Sequence, residues 1–168
     1  MNDIVIVDAA SVDELLRKLD DDELKNKILY DAVMSGAKAL QQAAQQRFRT
    51  VLGAAASHPS PYLKGNKPLY ESVSIKGEKA YIEASVSILN DFRMKFFEKG
   101  TAERYTKGRK ITGYADNGRN LKREGKGHYT GKITATNFFA AARNSSENNI
   151  NDAMLSSIEK SLKNAIKQ

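Results

Sequence analysis

The chain has no cysteine, no tryptophan, two histidines and three prolines in 168 residues. Without Cys there are no disulfides, thiol nucleophiles, zinc fingers or iron–sulfur clusters, a pattern that fits an intracellular protein. His58 and His128 alone do not make a histidine metal cage within one chain. No apolar run approaches the roughly 18 residues of a membrane span. The apolar stretch in the N-terminal MNDIVIVDAA is too short for a signal peptide. At 40% hydrophobic and 28% charged residues, the composition is that of an ordinary globular domain rather than a disordered chain. The expectation is one soluble, basic, cytosolic domain spanning 1–168.

Nucleotide and catalytic motifs are also missing. Gly125-Lys-Gly-His-Tyr-Thr-Gly131-Lys132 resembles a phosphate loop only superficially, because the glycine spacing is wrong and Ile133 stands where Ser or Thr must follow the Lys. Neither His128 beside Tyr129 nor His58 in its loop joins a nucleophile and an orienting group. Asp20, Asp21, Asp22 and Glu23 are dense, but consecutive helical residues point in different directions and do not converge on a metal. No catalytic, cofactor-binding or metal-binding residue is expected, and the chain reads as a non-enzyme.

What is present is charge, and it is segregated. The net charge is +7. Residues 1–35 hold nine acids against four bases, whereas residues 92–132 hold twelve bases against four acids. The excess is therefore confined to one stretch, with an N-terminus of opposite sign. Such a pattern favours a localised anionic partner or head-to-tail self-association.

The element pattern is helices, a sheet, then a helix: α+β. A short strand is expected at Ile4–Val7. Ser11 and Glu14 form a capping box, so a helix should begin near Val12. Leu24, Ile28, Ala32, Gly36, Leu40, Ala44 and Phe48 recur every four residues, predicting a long amphipathic helix over about 22–51 with the preceding acids at its N-terminus. Gly36 in its middle costs roughly 1 kcal/mol relative to Ala and is tolerable if another element packs closely there. Residues 52–70 hold Pro59, Pro61 and Pro68 and read as a loop. A hairpin follows. Val73 and Ile75 lie on one face of the first strand, Gly77-Glu78 make the turn, and Ala80, Ile82, Ala84, Val86 and Ile88 share a face of the return strand.

Seven of the chain's eleven glycines fall in the basic stretch, together with β-leaning pieces at Lys110–Tyr114 and His128–Thr134. They predict a flexible basic hairpin arm over 101–132, its tip around 115–127. Its cations are interleaved with Phe92, Phe96, Phe97, Tyr105, Tyr114 and Tyr129. Phosphate-neutralising charge with stackable rings makes a nucleic-acid-binding module the alternative functional reading, although Phe92, Phe96 and Phe97 read as core residues at helical spacing. A helical turn at Phe138–Arg143 and, after Asn144-Ser145-Ser146, an amphipathic helix over about 147–167 close the chain. The latter carries Ile150, Met154, Ile158, Leu162 and Ile166 on one side.

Phe96-Phe97-Glu98-Lys99-Gly100-Thr101 resembles the aromatic–Glu–x–Gly–Thr signature of the neck or minor tail-component family of long-tailed bacteriophages, the proteins of the head–tail junction. Other features agree in order. The Val12-Asp13-Glu14-Leu15-Leu16 helix is followed by a long Ala- and Lys-bearing one. Pro68-Leu69-Tyr70-Glu71-Ser72-Val73 is similar to the family's entry into its first strand, and Asn137-Phe138-Phe139-Ala140-Ala141-Ala142 resembles the aromatic start of its last helix. The likeness spans roughly 11–165. The chain departs from it at Asn137 and Ala141, where the family usually has Pro, and in a longer, more basic insertion after Thr101.

The resemblance implies a structural virion part, present in the bacterial cytoplasm during assembly, that forms a homo-oligomeric ring between the phage connector and tail-tube proteins. In such a ring the acidic part of one subunit meets the basic arm of the next. Arg104, Lys107, Arg109 and Lys110, or Lys122, Arg123 and Lys126, are then expected to contact a neighbour or face DNA in the channel without sequence specificity. Phe97, Glu98, Gly100, Thr101, Phe138 and Phe139 are expected to be structural, with Phe97 and Thr101 turning the chain into the arm.

Overall fold

The computed structural model describes residues 21–106, 110–114, 120–124 and 129–166. The strand expected at Ile4–Val7 and the helix expected near Val12 lie outside them. The architecture is α+β, and the chain divides into two compact units. One is built from residues up to Phe92 together with Phe138 onwards, and the other from Arg93–Asn137.

In the first unit helix α1 runs Asp22–Leu52. It starts where the sequence supplies a cap: the Asp21 carboxylate accepts the Glu23 N–H at 2.9 Å, and Asp22 and Glu23 complement the positive helix end. It stops at Gly53, whose φ of 54° only glycine adopts easily and whose N–H returns to the Arg49 carbonyl. The four-residue stripe turns inward, burying Ile28, Ala32, Gly36, Ala44 and Phe48 along with Ala37. Most of these are small, so neighbouring elements come close. At Gly36 an added Cβ would lie 2.8 Å from Met154 Cγ and 3.2 Å from Ile150 Cγ2. The helix-weakening glycine is thus where the last helix, α4 (Glu147–Ile166), packs closest.

Strands β1 (Ser74–Glu78) and β2 (Glu83–Ser87) form an antiparallel hairpin on α1. Ile75 opposes Val86 and Gly77 opposes Ala84, which puts the less exposed residues on one face. The turn differs from expectation. Gly77 and Glu78 belong to β1, and the reversal is made by a 3₁₀ turn at Lys79–Tyr81 followed by Ile82. Ala80 and Ile82 are therefore turn residues, and Ile88 lies beyond the return strand. Gly77 serves close approach instead. A Cβ there would collide with Tyr30 Oη and lie 2.6 Å from Met34 Sδ on α1. Ile82 is left-handed at φ 52°, ψ 45°, an unusual state for a β-branched residue and one that costs on the order of 1–3 kcal/mol.

The proline-bearing segment is an ordered loop. Two 3₁₀ turns, Gly53–Ser57 and Leu69–Ser72, bracket a Pro59–Pro68 bridge. Ser60, fully buried, donates its hydroxyl to the equally buried Asp91 carboxylate at 2.6 Å and accepts the Tyr62 N–H. Gln41 of α1 donates to the Val73 carbonyl at 2.7 Å. Helix α3 (Phe138–Ser145) then sets Phe138 against Phe48, with ring centroids 4.7 Å apart and both rings fully buried. Buried Ser146 marks the break before α4. Its hydroxyl donates to the Ala142 carbonyl at 2.6 Å, while its own carbonyl accepts the Ile150 N–H.

In the second unit, helix α2 (Met94–Lys99) leads into two antiparallel ladders: β3 (Arg104–Tyr105) with β6 (Tyr129–Gly131), and β4 (Lys110–Tyr114) with β5 (Asn120–Glu124). The expected second β piece is shorter than predicted, at 129–131. Lys110–Tyr114 pairs with Asn120–Glu124, so residues 120–124, expected within a tip around 115–127, are strand instead; 115–119 and 125–127 lie outside the described residues. One irregularity, between Arg104 and Tyr105, marks the root.

Candidate interaction surface: the basic arm and its clasp

At the root of the arm, Phe97-Glu98-Lys99-Gly100-Thr101 meets Ile133–Asn137. The Thr136 N–H and hydroxyl both donate to the Phe97 carbonyl, at 2.9 and 2.7 Å. The Asn137 N–H donates to the Glu98 carbonyl at 3.1 Å. Thr101 works in both directions: its N–H donates to the Ile133 carbonyl and its hydroxyl oxygen accepts the Ile133 N–H, each at 2.9 Å. Gly100 ends α2 with φ 74° and an N–H to Phe96 O at 2.8 Å. A Cβ on it would sit 2.8 Å from the Ala135 nitrogen and 2.9 Å from the Ile133 oxygen, both backbone atoms unable to move aside separately. Glycine is thus required twice, for the dihedral and for the space.

This clasp joins the incoming and outgoing chains through backbone groups and the hydroxyls of Thr101 and Thr136. Phe97 contributes to the clasp through its carbonyl and Thr101 through its N–H and hydroxyl. Glu98 contributes to the clasp through its carbonyl. Phe138 lies in the helical core, and Phe139 is half-buried beside a groove between α1, β2 and the last two helices. Phe92 departs from its expected core role. It is 45% exposed and meets Tyr62 edge-on at 5.0 Å. Phe96 and Phe97 are half-buried.

Of the seven cations singled out, Arg104 is exposed on β3 opposite Gly131. Lys110 opposes Glu124, Arg123 opposes Ile111, and Lys122 opposes Thr112 in the distal ladder. Lys107, Arg109 and Lys126 fall outside the described residues. The two expected clusters are therefore partly one: antiparallel pairing brings the Lys110 side of the arm against the Lys122–Arg123 side.

Register also creates a feature that residue spacing conceals. Tyr105 and Tyr129, twenty-four positions apart, are direct cross-strand partners with ring centroids at 5.3 Å. They remain 60% and 55% exposed. The Tyr105 hydroxyl donates to a Glu103 carboxylate oxygen at 3.1 Å. An exposed aromatic pair beside Arg104 has the composition of a protein-contact hot spot. A carboxylate bonded to one ring's hydroxyl opposes an approaching phosphate. Cross-strand aromatic pairing was a signal available in the sequence, but only once the register was known.

Among the described residues, no group of three or more His, Asp or Glu is placed to hold a metal ion, and no helix is long and apolar enough to cross a membrane. Comparison with protein-family models, curated proteins and solved structures yields no match.

Proposed function

We propose that this chain is a structural virion protein of a phage or prophage head–tail junction. In this reading it is a neck or tail-completion component, without enzymatic activity, that acts by assembling into a homo-oligomeric ring between connector and tail-tube proteins. The observation that carries the reading is the Phe96–Thr101 segment, which resembles that family's signature and here forms the clasp at the root of a long basic hairpin. The order of the flanking motifs supports it, as does the separation of opposite charges along the chain. A ring of heterologous contacts needs two different, complementary surfaces on each subunit, and such a chain supplies them.

Native mass spectrometry across a concentration series, with duplex-DNA binding measured across a salt series, tests the proposal. A closed oligomer with weak, shallowly salt-dependent DNA binding is expected. A monomer that binds DNA tightly, with log affinity falling by about 0.9 per neutralised phosphate per log unit of salt, overturns it in favour of a nucleic-acid-binding module.

A further inference from the structure

The arm carries an exposed tyrosine patch, and three grooves among the described residues of the helical unit differ in charge. The groove between the start of α1 and the end of α4 is lined by one acid and one base, Asp31 and Lys27. The groove under Phe139 has Arg143 as its charged group and is otherwise largely apolar. The third, about 350 Å³, lies where the end of the β1–β2 hairpin crosses α1. Val33, Ile82 and Ala84 make its apolar side, and Glu78 and Glu83 outnumber Lys76. It is the anionic groove of the three.

Glu78 and Glu83 are direct cross-strand partners, an arrangement in which like charges repel. Both are exposed, and neither forms an ion pair among the described residues. They flank the turn that holds Ile82 left-handed, with Tyr81 70% exposed at its tip. The arm carries the complement: two exposed rings for the apolar side and, for the carboxylates, the exposed bases Arg104 and Lys132, which outnumber the Glu103 carboxylate held on the Tyr105 hydroxyl.

We propose that the Tyr105–Tyr129–Arg104 patch of one copy seats on the Glu78–Glu83 groove of a second copy. This rests on the homo-oligomer reading above and names the two surfaces that such an oligomer would join. The contact is heterologous, because the arm and the groove are different surfaces, so each subunit offers an arm in one direction and a groove in the other. Burial beside Arg104 removes the repulsion between the two carboxylates, and the aromatic rings supply the apolar contact.

The test is photo-crosslinking in the full chain with Tyr105→p-benzoylphenylalanine, which keeps an aromatic ring at that position. Labelled carrier copies are mixed with unlabelled wild-type copies, so that adducts between copies differ in mass from those within one, and native mass is recorded on the same samples. The expected adduct joins position 105 of one copy to residues 76–84 of another. The double variant Glu78→Lys/Glu83→Lys should lower its yield by about tenfold, and Arg104→Glu on the crosslinking copy should restore it. An oligomer whose adducts are absent, lie within one copy, map elsewhere or survive the charge reversal overturns this inference and leaves the oligomer reading standing. A protein that stays monomeric at every concentration and gives no adduct between copies overturns both.

Discussion

The two compact units hold themselves together by different physics. The helical unit has an apolar core in which Phe48 and Phe138 pack ring against ring and Ala32, Ala44, Val73 and Ala142 are also buried. The arm unit has Met94 as its buried side chain among the described residues, and its root is secured by hydrogen bonds of backbone groups and two threonine hydroxyls between Phe97–Thr101 and Ile133–Asn137. Apolar burial stabilises without fixing direction, whereas the clasp fixes direction with little burial. The first arrangement suits a scaffold. The second suits an element that keeps its large side chains exposed, as Tyr105 and Tyr129 are.

Four substitutions would break or sharpen this contrast. Phe48→Ala removes half of the central aromatic pair from a fully buried site and should cost about 3–5 kcal/mol, read as a large loss of global stability in chemical denaturation. Ser60→Ala removes the hydroxyl that reaches the buried Asp91 carboxylate at 2.6 Å. A loss of about 2 kcal/mol is expected, in the same global transition.

Gly100→Ala addresses the other unit. Its positive φ and its two backbone contacts below 3 Å predict a local cost of about 1–3 kcal/mol. Amide exchange should accelerate at Thr101, Ile133 and Thr136 while exchange in α1 stays unchanged. Equal acceleration in both units would show that the contrast is false and that the chain unfolds as one body. Gly36→Ala should have the smallest effect. A gain of about 1 kcal/mol in helix propensity opposes crowding against Met154 and Ile150, leaving a net destabilisation of about 1 kcal/mol. A stabilised variant would mean that α4 adapts more easily than its 2.8 Å approach implies.

The helices were legible because their signals are local. Asp21 and its neighbours cap α1, and the four-residue stripe from Ile28 to Phe48 lies on one side of it, so the expected span of 22–51 differs from Asp22–Leu52 by one residue. The break expected at 144–146 shrinks to Ser146, because the turn expected at 138–143 continues through Ser145, while α4 begins at Glu147 as its apolar spacing predicts. The hairpin on α1 was visible as alternation, but its turn was not. Gly77 carries the usual mark of a reversal, yet its small size serves contact with Tyr30 and Met34, while Ile82 takes a conformation that its own chemistry disfavours. In the arm, glycine and charge announced an exposed hairpin. Asn120–Glu124, polar and poor in β-branched residues, gave no sign of being the strand that pairs with Lys110–Tyr114.

By itself, the sequence determined where the long first helix starts and stops, where the last helix starts, and that one stretch would be basic and glycine-rich. Capping, periodicity and backbone freedom act between residues within about four positions of each other. Only the tertiary structure decided which distant residues meet: Tyr105 with Tyr129 and Glu78 with Glu83 across strands, and Phe48 with Phe138 between helices. Those partners come from register and packing between distant segments, where a one-residue slip would move every side chain to the opposite face. Which aromatics become a contact surface, and which carboxylates are left repelling each other, is therefore settled only when the chain has folded.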